Sequence, residues 1–182
     1  KFIKNSNQLF HRRIIEQVLG PVRVDLCERR FIELRDGNET KFSNMVLQQA
    51  SNVPIWGSAA ANRHIKITTS WNHQSYSCVA DKSGHWKVFV KTVSAGGPYE
   101  ITIDDGKELT LSNILIGEVW LCSGQSNMEI PLKGFLNQPV LHSNNILAHA
   151  NNTQLRLFHT ERAVSDKPQS DCRGSWQVST PA

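Results

Sequence analysis

The sequence predicts a β-sandwich followed by the opening of an α/β domain, and three observations carry that prediction. Residues 42–112 break into about seven short segments with two-residue alternation or β-branched character, each bounded by turn residues. Residues 113–182 begin with near-continuous apolar runs, Ile114-Leu115-Ile116 and Val119-Trp120-Leu121-Cys122, the pattern of a strand buried on both faces. The composition is globular: 39% hydrophobic and 20% charged over 182 residues. It excludes a disordered tail, a collagen-like repeat and a coiled coil.

Taken in order, residues 1–41 form an unassigned N-terminal segment. Leu9, Phe10, Ile14, Ile15, Val18 and Leu19 recur near helical spacing, and Gly20-Pro21 ends that pattern. Val22, Val24 and Leu26 then alternate as in a short strand, and Asp36-Gly37-Asn38 marks a turn. The expected sandwich strands are Met45–Gln49, Val53–Ser58, His64–Trp71, Ser75–Ala80, Trp86–Val93, Tyr99–Asp104 and Leu109–Leu111. The turns between them are Ser51-Asn52, Ala61-Asn62, Asn72-His73, Ser83-Gly84, Gly96-Gly97-Pro98 and Asp105-Gly106. Ile65, Ile67 and Thr69 share one face, and so do Trp86, Val88 and Val90, as in half-buried strands. After residue 113 the pattern predicts a helix around Asn145–Ala150 and a strand over Leu155–Phe158.

Charge narrows the function classes. The net charge is +4, but residues 1–41 hold 9 of the 20 Lys/Arg and 6 of the 16 Asp/Glu, which leaves the remainder nearly neutral. A nucleic-acid binder concentrates basic residues on one face. Only Arg12, Arg13, Arg29 and Arg30 approach that, and they read equally well as a solvated face. No nucleic-acid or membrane partner is expected, since no apolar stretch approaches the ~18 residues of a membrane span. Asn5-Ser6-Asn7-Gln8 stand where a signal peptide has its apolar core, so none is expected in this chain. Sequons occur at Asn38-Glu39-Thr40 and Asn151-Asn152-Thr153, and they matter only on a glycosylating route.

Chemistry is expected at the turn after Cys122, Ser123-Gly124-Gln125-Ser126-Asn127-Met128. In open α/β sheets ligands bind beyond the carboxyl ends of the strands. A serine on a tight turn there presents its hydroxyl outward, and Gly124 allows close approach of a substrate. Ser126 is then placed to attack a carbonyl while its own N–H steadies the oxyanion. The same residues also read as a plain polar turn. A phosphate loop is excluded because no glycine at the required spacing precedes Lys82-Ser83 or Lys91-Thr92. The GxSxG elbow fails at Met128.

The block Gly117-Glu118-Val119-Trp120-Leu121-Cys122-Ser123-Gly124-Gln125-Ser126-Asn127-Met128-Glu129 resembles the nucleophile segment of the sialate O-acetylesterase family, within the SGNH (GDSL-like) hydrolases. Further stretches resemble that family in its own order. They are Phe42-Ser43-Asn44-Met45-Val46-Leu47-Gln48-Gln49, Ile55-Trp56-Gly57, Gly96-Gly97-Pro98-Tyr99-Glu100-Ile101, and Gly174-Ser175-Trp176-Gln177 with Thr180-Pro181. The resemblance covers 42–182 and is closest to secreted enzymes of Bacteroides-type bacteria. It implies a β-sandwich over 42–112 and the start of an SGNH α/β/α domain over 113–182, incomplete in this chain. It also implies a serine esterase that releases acetate from O-acetylated sialic acid. Ser126 matches the nucleophile and backbone oxyanion donor, with Gly124, Gln125 and Asn127 supporting it. The substrate partner is then an acetylated carbohydrate, no cofactor or metal is implied, and the setting is secreted or periplasmic, or lysosomal or extracellular in a eukaryote. An acetyl-xylan or other carbohydrate acetylesterase, and a non-catalytic glycan-binding sandwich, are the alternatives.

The match departs from the family in one respect. The family also uses a later Gly and Asn for the oxyanion and a C-terminal Asp-x-x-His, and none of the seven histidines here stands in that context. His64, His73 and His85 are expected on the surface or in turns, while His142, His149 and His159 lie nearer the serine in sequence. The 182 residues alone are thus expected to lack meaningful esterase activity, and later residues or a second chain are expected to complete the α/β domain. Cys122 and Cys172 read as buried free thiols or as a disulfide. Trp56, Trp71 and Trp86 read as core packing or as a sugar-stacking surface.

Overall fold

The computed structural model describes residues 42–122, 130–160, 163–164, 166 and 174–181. The helix, strand and turn expected within 1–41 lie outside the described residues, as does the Asn38 sequon.

Seven strands occupy the first described stretch: β1 (Val46–Gln48), β2 (Asn52–Ser58), β3 (His64–Thr69), β4 (Ser75–Val79), β5 (His85–Lys91), β6 (Gly96–Asp104) and β7 (Glu108–Gly117). This stretch is β-rich, as the alternation predicts. Asn62, His73, Gly84 and Gly106, each within an expected turn, have left-handed φ values of 59°, 54°, 85° and 102°. Asn and Gly adopt that region at low cost, which is why these dipeptides punctuate the strands.

The strands do not divide into two comparable sheets. Five form one sheet in the order β1-β7-β6-β3-β4, and β2 and β5 pair as a separate two-stranded ribbon. All sheet pairings are antiparallel except β1 with β7, which is parallel with Val46 opposite Leu115. The expected face of β3 is buried at Ile65, Ile67 and Thr69. On β5, Trp86 and Val90 are buried and Val88 is half-buried. Sheet and ribbon share one core, in which Ile65, Ile67, Ile101, Ile103, Leu111 and Ile114 join Ile55, Trp86 and Val90. Each such side chain contributes roughly 1.5–3 kcal/mol when fully buried.

Two glycines set close approaches within this body. Gly57 lies opposite Trp86, and a Cβ there would stand 2.7 Å from the indole ring. Gly97 has φ 121°, and a Cβ there would meet the Ile114 carbonyl oxygen at 2.7 Å. The Gly96-Gly97-Pro98 segment, expected as a turn, is the start of β6.

The last strand is longer than its sequence pattern. The expected segment Leu109–Leu111 and the apolar run Ile114–Ile116 belong to a single β7, joined through a bulge. Tyr99 pairs with Ile114 and Ile101 with Leu111, so three steps on β7 answer two on β6. Asn113 sits at the bulge with φ 57°. A bulge inserts one residue and leaves it unpaired, which makes Ser112-Asn113 look like a break.

Beyond Gly117 the described residues hold a short hairpin, β8 (Gly134–Phe135) with β9 (Gln138–Pro139), a six-residue helix α1 (Ser143–Ala148), and β10 (Asn152–Thr160) paired antiparallel to β11 (Gly174–Ser179). The helix and the β10 strand fall where the sequence predicts. Trp176 on β11 reaches the shared core and packs against Phe158 at a 5.3 Å ring separation. A parallel sheet flanked by helices is not seen among the described residues. No described helix is long and apolar enough to cross a membrane.

Candidate active site

Ser126, Gly124, Gln125 and Asn127 all lie outside the described residues. What the structure describes is the chain that leads to them. β7 ends at Gly117, and 118–122 follow without regular structure. The run Val119–Cys122, expected as a strand buried on both faces, is neither strand nor buried. Trp120 is 64% exposed and Leu121 50% exposed, and Cys122 is an exposed free thiol. The reason is local: past Gly117 the chain has left its neighbours β1 and β6, and among the described residues no strand replaces them. Cys172, the other half of the possible disulfide, lies outside the described residues, as does Cys27.

The departure from β7 is held by side chains from stretches remote in sequence. Gln49 Nε2 donates to Glu118 Oε1 at 2.6 Å, and Gln48 Nε2 approaches Glu118 Oε2 at 3.4 Å. Gln48 Oε1 accepts the Val119 N–H at 3.0 Å, and Gln49 Oε1 accepts the Ala95 N–H at 2.9 Å. The Gln49 N–H donates to the Gly117 carbonyl at 2.9 Å. Both amides are used at both ends, so they link β1, the turn before β6 and the first residues after β7. Beneath them, buried Thr92 donates from Oγ1 to the Gln48 carbonyl at 2.7 Å and accepts the Ser51 N–H at 3.0 Å. The available signal was that Gln48-Gln49 and Glu118 fall in two separately matched stretches.

A second tie joins the β10–β11 pair to the sheet. Asn113 Nδ2 donates to Asn44 Oδ1 at 2.6 Å, and Asn113 Oδ1 accepts from Arg156 Nη2 at 3.0 Å. Arg156 is buried, and desolvation pulls its guanidinium below the ordinary value.

The described histidines offer no base of the expected kind. His64, His73 and His85 are exposed, as predicted, and so are His142, His149 and His159. Among the described residues, Asp81, Ser83 and His85 form a Ser/His/Asp grouping. Its bonds stabilise a turn. Asp81 Oδ1 accepts from Ser83 Oγ at 2.6 Å and from the Ser83 and His85 N–H groups at 2.8 and 2.9 Å, while His85 Nδ1 lies 2.9 Å from Ser83 Oγ. In a nucleophilic triad the carboxylate holds the imidazole and the imidazole takes the serine proton. Here the serine hydrogen points at the carboxylate. These bonds, that from Ser83 first, hold the Asp81 carboxyl below its usual range. Among the described residues no group of three His, Cys, Asp or Glu is placed to hold a metal.

No protein-family model matches the chain. Individual proteins do. The sialate O-acetylesterase of Rattus norvegicus is 28% identical over 149 residues, which is 75% of this chain and 27% of that protein. The sialate O-acetylesterase of Homo sapiens is 30% identical over 105 residues, 52% of this chain and 20% of its own length. Among solved structures, a carbohydrate acetylesterase from Xanthomonas citri superposes with a TM-score of 0.69 at 34% identity, over 76% of this chain and 31% of that one. The chain is similar to the sialate O-acetylesterase family over up to 75% of its own length. It spans 27% and 20% of the rat and human members' lengths. The superposition at 34% identity extends the family likeness from sequence to three dimensions.

Proposed function

We propose that this chain carries the nucleophile segment of a serine esterase that removes O-acetyl groups from carbohydrate, with sialic acid as the sugar. The observation that carries the reading is the likeness, in sequence and fold together, to a carbohydrate acetylesterase. The sialate O-acetylesterases among the sequence relatives support the narrower choice of sugar. In this reading residues 113–182 begin an SGNH hydrolase domain, with the hand-over from the β-domain at the end of β7.

Ser126 Oγ bonds to the acetyl carbon while a base takes its proton, and the developing oxyanion is met by the Ser126 N–H. The bond from acetyl carbon to sugar oxygen then breaks, the sugar oxygen gains a proton, and water releases acetate from the acyl-serine. Gly124 gives the substrate room, while Gln125 and Asn127 frame the serine. A secreted or periplasmic setting goes with this proposal.

The test uses the intact native protein. A fluorophosphonate probe is expected to label Ser126, and Ser126→Ala is expected to lower acetate release by about 10⁴-fold or more. Adducts mapped to another residue overturn the serine assignment. Faster acetate release from acetylated xylan than from O-acetylated sialic acid overturns the choice of sugar while leaving the esterase standing.

A further inference from the structure

The outer face of the β2–β5 ribbon combines aromatic rings with cationic side chains. The register places Asn52 opposite Lys91, Pro54 opposite Phe89, Trp56 opposite Lys87 and Ser58 opposite His85, all pointing away from the core face of Val53, Ile55, Gly57, Trp86, Val88 and Val90. Pro54 is buried and Trp56 half-buried, while Phe89 is 51% exposed, and His85, Lys87 and Lys91 are exposed. Lys87 Nζ stands 4.9 Å from the Phe89 ring centroid. Trp56 and Phe89 are diagonal neighbours on one face, a spacing of about 7–8 Å between backbones that long aromatic side chains bridge. Among the described residues this face carries no carboxylate. The nearest in sequence, Asp81, is engaged by the Ser83 and His85 N–H groups and the Ser83 hydroxyl.

An apolar platform flanked by positive charge has a definite chemical complement. The C–H faces of a pyranose pack flat on aromatic rings, and a sugar carboxylate is drawn to ammonium groups and to imidazole N–H donors. Neutral sugars use the rings alone, and an acidic peptide lacks the flat C–H face. From the Trp56 and Phe89 rings, with Lys91 at one end of this face and His85 at the other, we infer that the outer face of the ribbon is a binding site for acidic carbohydrate. The inference does not rest on the esterase reading.

The full chain is titrated with sialyllactose and, separately, with lactose, with binding followed by NMR shifts and tryptophan emission. Sialyllactose is expected to bind about tenfold more tightly than lactose, with the preference shrinking at high salt. Phe89→Ala, whose ring is exposed, is expected to weaken both sugars by about tenfold. Trp56→Leu repeats that test from the other strand. The double change His85→Gln with Lys91→Gln is expected to erase the preference while lactose binding persists. Equal affinity for the two sugars, an unchanged Phe89→Ala, or no binding of sialyllactose overturns the inference. Neither sugar carries an O-acetyl ester, so the outcome is independent of whether Ser126 is a nucleophile.

Discussion

Residues 42–117 and the residues after Gly117 use apolar side chains in opposite ways. In the first region alternation hides them: Ile65, Ile67, Ile101 and Leu111 are all buried, and their strand neighbours face water. In the second region most large apolar side chains among the described residues stay in solvent, with Leu136 98% exposed and Leu141, Trp120 and Leu121 also exposed, whereas Trp176 is buried. Apolar residues are nearly as frequent after Gly117 as before it. What differs is pairing. Strands of the first region have hydrogen-bonded neighbours that bring matching faces together, whereas the chain at 118–122 has none among the described residues. A buried side chain is a property of its neighbours as much as of its own chemistry.

The largest expected effect tests that contrast directly. Ile101→Ala is expected to cost about 2–5 kcal/mol in denaturant unfolding, because the residue is fully buried in the shared core. Leu136→Ala, the same kind of truncation on the other side of the comparison, is expected to stay within about 0.5 kcal/mol. Similar costs for the two would break the comparison. Next in size is Asn113→Ala, which removes two side-chain hydrogen bonds and places a Cβ-only residue at positive φ. A loss of about 2 kcal/mol is expected, read from the same unfolding curves.

A smaller change sharpens the boundary between the regions. Gln48→Ala removes the acceptor for the Val119 N–H and one arm on Glu118. Faster hydrogen exchange at Val119 is expected, with global stability falling by about 1 kcal/mol or less. Unchanged exchange at Val119 counts against a holding role for these glutamines. The smallest effect belongs to Asp81. Its folded carboxyl titrates below the ordinary value, chiefly because Ser83 donates to it, so ionised Asp81 stabilises the fold above the unfolded value near about 3.9. That contribution fades as the pH falls through the lower, folded value. Asp81→Asn is therefore expected to lose slight stability at neutral pH, and the gap from the parent chain is expected to close below about pH 4. A gap constant across that range refutes the linkage.

Legibility in the sequence followed the same divide. The alternation in His64–Thr69 and His85–Lys91 was readable because a two-residue period is imposed by the pleat itself. Asn62, His73, Gly84 and Gly106 were readable as turns because left-handed backbone selects residue type. The bulge at Asn113 was not, since an unpaired residue inside a strand carries the same signature as a strand end. Val119–Cys122 misled for a related reason: an apolar run reports the tendency to be covered, not the presence of a cover. The Gln48–Glu118–Gln49 contacts were out of reach because they join stretches remote in sequence, and no local period encodes them. Ser126 enters the proposal only through its surrounding motif, and it lies outside the described residues.

The parallel pairing of β1 with β7 has a consequence for how the molecule is made. Val46 finds its backbone partner in Leu115. On the ribosome, the earliest strand of the sheet must wait with its amide edge unfilled until nearly the whole β-domain has emerged. Closure of the sheet is then a late, long-range event, slow by the usual dependence on the span of chain to be looped. The chain's course past Gly117 is fixed at that same moment, because the glutamines that grip it arrive on β1.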